Sequence, residues 1–271
     1  MRMRSSVALL AALFFAPTCL APAAAGAYPG GTPEFQTDVA PFCAGCHSSR
    51  SAEMLAGAGE KAEKNLVDQK HLALILEGKR GYADLSAQDR ATLADQIRAL
   101  DAASTVSLEA PPSVTRGQTF QVTVSVTGGA GPVVGVGLVD RAHRWFARPA
   151  PAAGWAIAGP PVILGPDGQP QGEWLSRRPD GLDRNISFVN VTGVESDAAA
   201  GRFASAKVIF TLRAPDRPGS YPLASVYLYG TEKSTVLGYT TNAVGWKEVR
   251  GGLGGGSGRV LFTPVASIAV E

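Results

Sequence analysis

The chain has 271 residues, a length that suggests one or two domains. Its 25 basic and 23 acidic residues differ only by what Arg2 and Arg4 contribute at the extreme N-terminus. Nothing in that balance argues for a nucleic-acid partner or an anionic membrane surface.

Met1-Arg2-Met3-Arg4 is a basic start, residues 7–20 are apolar with a break at Pro17, and residues 21–27 are small, with Ala25 and Ala27 spaced for cleavage. This pattern predicts a secretory signal peptide over residues 1–27, since the apolar run is too short and wrongly flanked for a membrane span. An uncleaved anchor is the alternative. A lipoprotein signal would need a small-residue box before Cys19, and Ala16-Pro17-Thr18 is a poor one. No later stretch reaches the run of about 18 apolar residues that a spanning helix needs. The mature protein is therefore expected to be soluble, without a transmembrane segment, and periplasmic or extracellular. Cys19 leaves with the signal, so Cys43 and Cys46 remain, and two free thiols in an oxidising compartment would normally pair.

Those two cysteines belong to Cys43-Ala44-Gly45-Cys46-His47, the C-x-x-C-H attachment signature for one covalent haem c. The thiols of Cys43 and Cys46 would form thioethers with the porphyrin vinyl groups, and His47 would be the proximal iron ligand. Three other readings compete. A thioredoxin-like C-x-x-C wants a preceding strand, which Pro41 spoils; a zinc site wants a second Cys/His pair. A structural disulfide leaves His47 unexplained.

Residues 28–103 are predicted to be a small helical domain. Thr32-Pro33-Glu34 is a helix start, and Phe35, Val39 and Phe42 share one face of the helix that follows. Residues 51–56 suggest a short helix or loop. Residues 68–77 suggest a helix with Leu72, Ile75 and Leu76 on its apolar side and Gly78 as its C-cap. Ser86-Ala87-Gln88-Asp89 resembles a capping box, with Leu93, Ile97 and Leu100 as the stripe behind it. A buried haem would supply apolar surface that so short a domain lacks. On these motifs, residues from about 32 to 100 resemble the class I cytochrome c family. The resemblance implies an all-α haem domain. The family usually places a distal methionine between the middle and last helices, and residues 79–84 contain none.

Beyond residue 104 the apolar period switches to two. Residues 119–126 alternate apolar and polar; residues 133–139, 186–191, 206–212, 221–229 and 260–270 are further strand candidates separated by Gly, Pro and Asp clusters. Residues 104–271 are thus expected to be an all-β sandwich, entered through a join over residues 104–117 that contains Pro111-Pro112. The Pro-rich entry, Gly117-Gln118-Thr119-Phe120 and Gly219-Ser220-Tyr221 resemble immunoglobulin-like or reeler-like domains. His143 reads as a surface residue beside arginines. Trp145, Trp155 and Trp174 read as cover for the core or as a docking patch. The glycine-rich run at 251–258 reads as a hairpin loop, because it lacks a P-loop ending. Asn185-Ile186-Ser187 matches a glycosylation sequon.

The expected function is a monohaem c-type cytochrome of the periplasm or cell envelope that passes electrons to a redox partner protein, with the sandwich as a docking or binding domain. No catalytic constellation accompanies the haem motif, so an electron carrier is favoured over an enzyme. The alternative is a haem enzyme or gas sensor with an open or weakly held sixth iron position. An envelope binding module in which the haem is secondary is a third reading. For that sixth position His71 is the distal candidate, because it lies one turn before Ile75. Met54 is the alternative candidate, an open iron comes third, and His143 is more remote.

Overall fold

The computed structural model describes residues 47–50, 63–79, 81–172, 187–232, 239–241, 247–249 and 256–271. Strand makes up 41% and helix 19% of them, so the chain is predominantly β. In chain order the first elements are β1 (Ser48–Ser49), α1 (Ala73–Leu76), α2 (Ala87–Ala103), β2 (Thr105–Glu109), β3 (Ser113–Val114), β4 (Thr119–Thr127) and β5 (Val133–Val139). Then come β6 (Ala156–Ile157), β7 (Val162–Leu164), β8 (Pro170–Gln171), β9 (Phe188–Thr192), β10 (Ser205–Arg213) and β11 (Gly219–Gly230). The last are β12 (Tyr239–Thr241), β13 (Lys247–Val249), β14 (Gly258–Phe262) and β15 (Ala266–Val270).

Two sheets carry the structure. One runs β1-β14-β11-β15-β3, with β5 joined to β11 and β9 to β5; the other runs β2-β4-β10-β7-β8, with β6 on β10. The alternation in β4 and β10 turns Val122, Val124, Val126, Val208, Phe210 and Leu212 inward. They meet Val134, Val136 and Leu138 of β5 and Tyr227 and Tyr229 of β11 in one buried core. Each fully buried aliphatic or aromatic side chain is worth roughly 1.5–3 kcal/mol, so this core dominates the stability. The other face of β11 is buried as well. There Val226 and Leu228 pack with Val260, Phe262, Phe188 and Ala147, the last from the loop after β5.

The helices follow their local signals. Ser86 caps α2, its Oγ accepting the Asp89 amide at 3.1 Å. After α1, Gly78 takes φ +66°, which lets the amides of Gly78 and Lys79 reach the carbonyls of Ile75 and Leu74 at 3.0 and 2.9 Å. Leu72, Ile75, Tyr82, Ala94 and Ile97 form the small cluster between the helical segments. The residues before α1, Asp68–Leu72, wind as a π-type turn.

This architecture corrects the family resemblance and the fold class drawn from it. The described residues contain no small all-α domain of the class I cytochrome c kind. The helices are instead fastened to the sheets by a buried polar network, described below. The combined likeness, a cytochrome c domain followed by an immunoglobulin-like sandwich, is set aside for a predominantly β chain with two sheets. The join expected over residues 104–117 contains β2 and β3, and the run at 260–270 divides into β14 and β15. Among the described residues no helix is long and apolar enough to cross a membrane.

Candidate functional site

Of the haem signature, His47 lies within the described residues. Cys43 and Cys46 lie outside them, as do Met54, the signal sequence, the helix proposed before the motif, residues 51–56, Trp174, Asn185 and residues 251–255. What the structure gives is the ground on which His47 stands.

His47 opens a strap, residues 47–50, that joins the sandwich. Ser48 and Ser49 pair in parallel with Arg259 and Val260 at the edge of β14, and Ser49 also bridges to Leu66. Both serines are fully buried. Ser48 Oγ donates to the Gly256 carbonyl at 2.8 Å, and Arg50 donates to the Ser104 carbonyl at 2.7 Å. Arg144, fully buried in the loop after β5, donates to Ser49 Oγ at 2.8 Å and to the His47 carbonyl. Its guanidinium sits 5.0 Å from the centre of the Trp145 ring.

The imidazole of His47 is oriented by β14. Its Nδ1 lies 3.2 Å from the Arg259 carbonyl. A carbonyl only accepts, so Nδ1 carries the proton and Nε2 keeps its lone pair. The ring lies against Gly258: a Cβ there would come within 2.7–2.8 Å of Cδ2, Cγ and Nε2. Burial pulls the half-buried His47 down to about 4, the carbonyl bond opposes this, and the charges of Lys70, Arg144 and Arg259 add to it. His47 is therefore neutral at physiological pH. A ligating histidine needs a neutral ring with one nitrogen held by an acceptor, and the Nδ1–H bond of His47 to the Arg259 carbonyl has that form.

His71 lies in the same network with its nitrogens differently engaged. Nδ1 is 3.1 Å from Nη2 of Arg259, which can only donate, so Nδ1 accepts. Nε2 then carries the proton, 2.9 Å from the Tyr82 hydroxyl and 3.1 Å from Glu232 Oε2. Tyr82 donates to the same carboxylate oxygen at 2.6 Å. Burial holds His71 below its ordinary pKa, against the bond to Glu232, which raises it. The structure thus brings His47 and His71 to opposite ends of one residue, Arg259. As placed, His71 spends both nitrogens on protein partners, and ligation by it requires releasing one of them.

Arg259 was not singled out in the sequence, nor were Asp101, Tyr82, Glu232 or Arg144 as its companions. Arg259 shares the inward parity of Leu261 and is fully buried. Its Nε donates to both oxygens of Asp101 at 3.0 and 3.2 Å, and Nη1 reaches the Gly256 carbonyl at 2.5 Å. Tyr229 adds a bond to Asp101 at 2.7 Å and is held well above the usual phenol range, first by burial. The signals were present: Asp101 falls four residues after Ile97 on the apolar stripe of α2, and Arg259 interrupts an apolar strand. A charge on a buried face marks a paired charge.

His143 accepts the Trp145 amide at 3.2 Å and stacks on Phe146 at 4.5 Å. Trp155 belongs to the core and donates to the Pro222 carbonyl at 2.9 Å. A cleft of about 440 Å³ lies between α2 and residues 195–202, with Glu232 on its wall. No family model matches the chain, and no curated protein matches it either.

Proposed function

We propose that the chain is an exported monohaem c-type electron-transfer protein, with haem c bound covalently through Cys43 and Cys46 and with His47 as proximal ligand. The observation that carries the reading is the state of His47 directly after the C-x-x-C pair. Its ring is neutral and its Nδ1–H donates to the Arg259 carbonyl, which leaves the proton off Nε2. When bound, the haem supplies a one-electron ferric/ferrous couple.

The chain's own residues do the rest. The Arg259 carbonyl fixes the tautomer and plane of the imidazole, and Gly258 makes room for the ring. Arg144 and the pairing of β1 with β14 hold the backbone that carries it. A rigid ligand loses little to reorganisation when an electron arrives, which suits a carrier. The partner is a redox protein of the periplasm or cell envelope.

A second reading, a gas sensor or haem enzyme with an exchangeable sixth position, is favoured by one observation. Both nitrogens of His71, the distal candidate, already have protein partners. Spectra of the reduced protein before and after carbon monoxide separate the two. An unchanged low-spin spectrum is the result expected of the carrier, and rapid conversion to a carbon monoxide complex supports the sensor. Absence of any haem spectrum, with haem-attachment machinery present during expression, overturns both.

A further inference from the structure

We infer that Arg144 is a positioning residue for the proximal ligand and that its fixed charge raises the reduction potential of the site. The inference rests on the haem reading above. Arg144 lies far from the motif in sequence, in the loop after β5, yet its guanidinium donates to the backbone carbonyl of His47 and to Ser49 Oγ, 2.8 Å away. It is fully buried, so its charge is screened by protein rather than by water. Packing against Trp145 keeps it in place.

Two consequences follow from that placement. Mechanically, the planar fork of an arginine ties two successive parts of the strap, which sets the position of the imidazole on Gly258 and the Arg259 carbonyl. Electrostatically, a buried cation beside the proximal ligand favours the state with one more electron. Ferric iron carries more positive charge than ferrous iron, so Arg144 penalises the oxidised state and the potential rises. No proton moves in this account and no bond changes. Only the balance between the two oxidation states is altered.

The test uses the full chain with haem attached and reads the midpoint potential by spectroelectrochemistry, alongside the low-spin spectrum that reports ligation by His47. Arg144→Gln is expected to lower the potential with the spectrum retained, and Arg144→Lys, which keeps the charge but not the fork, to recover most of the wild-type value. If Arg144→Gln fails to fold, Arg144→Met takes its place, being similar in length and without a polar group to satisfy; the same fall is expected. A potential unchanged in the neutral variants overturns the inference alone. So does an equal fall in the lysine and neutral variants, because the effect would then come from lost packing. A wild-type chain that carries no covalent haem overturns the inference together with the reading beneath it.

Discussion

At the scale of single residues, Gly258 is a tightly constrained position beside His47. Any Cβ there meets the imidazole at 2.7–2.8 Å, well inside contact distance. Gly258→Ala is expected to push the ring off the Arg259 carbonyl and to cost about 1–3 kcal/mol, as overpacking of a tight site does. Urea denaturation of the two proteins measures it; equal midpoints would mean that the ring does not rest on Gly258. His71 gives a pH signature. Its folded pKa lies below 6.5, because burial outweighs the bond to Glu232, and Tyr82, Arg259 and Asp101 complete its surroundings. The native state then binds fewer protons than the unfolded chain. The contribution of His71 is whole above about pH 6.5 and is lost as the pH falls from there toward the folded pKa, by at most about 1.4 kcal/mol per pH unit. His71→Leu should flatten the fall in stability between pH 6.5 and 5 relative to wild type. Parallel curves for the two proteins would contradict the shift.

At the scale of elements, α2 and β14 are joined by one buried ion pair, Asp101 with Arg259, which Tyr229 completes. Removing one partner leaves a charge with no water to receive it. Asp101→Asn is expected to cost about 3–5 kcal/mol, while Asp101→Leu combined with Arg259→Met should cost less than that single change. A double-mutant cycle read by chemical denaturation gives the coupling, and additive losses would mean that the pair does not hold the helix to the sheet. Much of the element structure was legible. The period of two became β4 and β10, and Ser86, with the stripe of Leu93, Ile97 and Leu100, marked α2. Other elements were hidden by their surroundings. Val106 and Leu108 alternate as a strand should, but Pro111-Pro112 made the segment look like a linker. What a helix packs against is not written in its own stripe. The same helical signals suit a free-standing haem domain or a helix fastened to a sandwich, and the structure shows the second.

At the scale of the whole molecule, His47 and the sandwich meet through β1, whose partner in β14 lies more than 200 residues away in sequence. A two-residue parallel pairing between Ser48–Ser49 and Arg259–Val260 leaves no periodic trace, so sequence could locate the motif and not its seat. The strap also covers the β14 edge and accepts hydrogen bonds from Arg144, while Asp101 of α2 neutralises Arg259. A fragment of residues 105–271 would expose that edge and leave Arg259 without Asp101 and Arg144 without the His47 carbonyl. It is expected to aggregate or to melt well below the full chain; a soluble monomer with the full chain's melting temperature would show that the sandwich does not need the strap.

The central claim, a covalent haem seated through His47 on β14, is tested most directly by the intact mass of the exported, denatured protein. The chain should be expressed with haem-attachment machinery and extracted with acid and acetone before the measurement. One haem retained per wild-type chain is the expected result, and none when Cys43 and Cys46 are both replaced by alanine. A wild-type chain that emerges colourless at the mass of the bare polypeptide would contradict it.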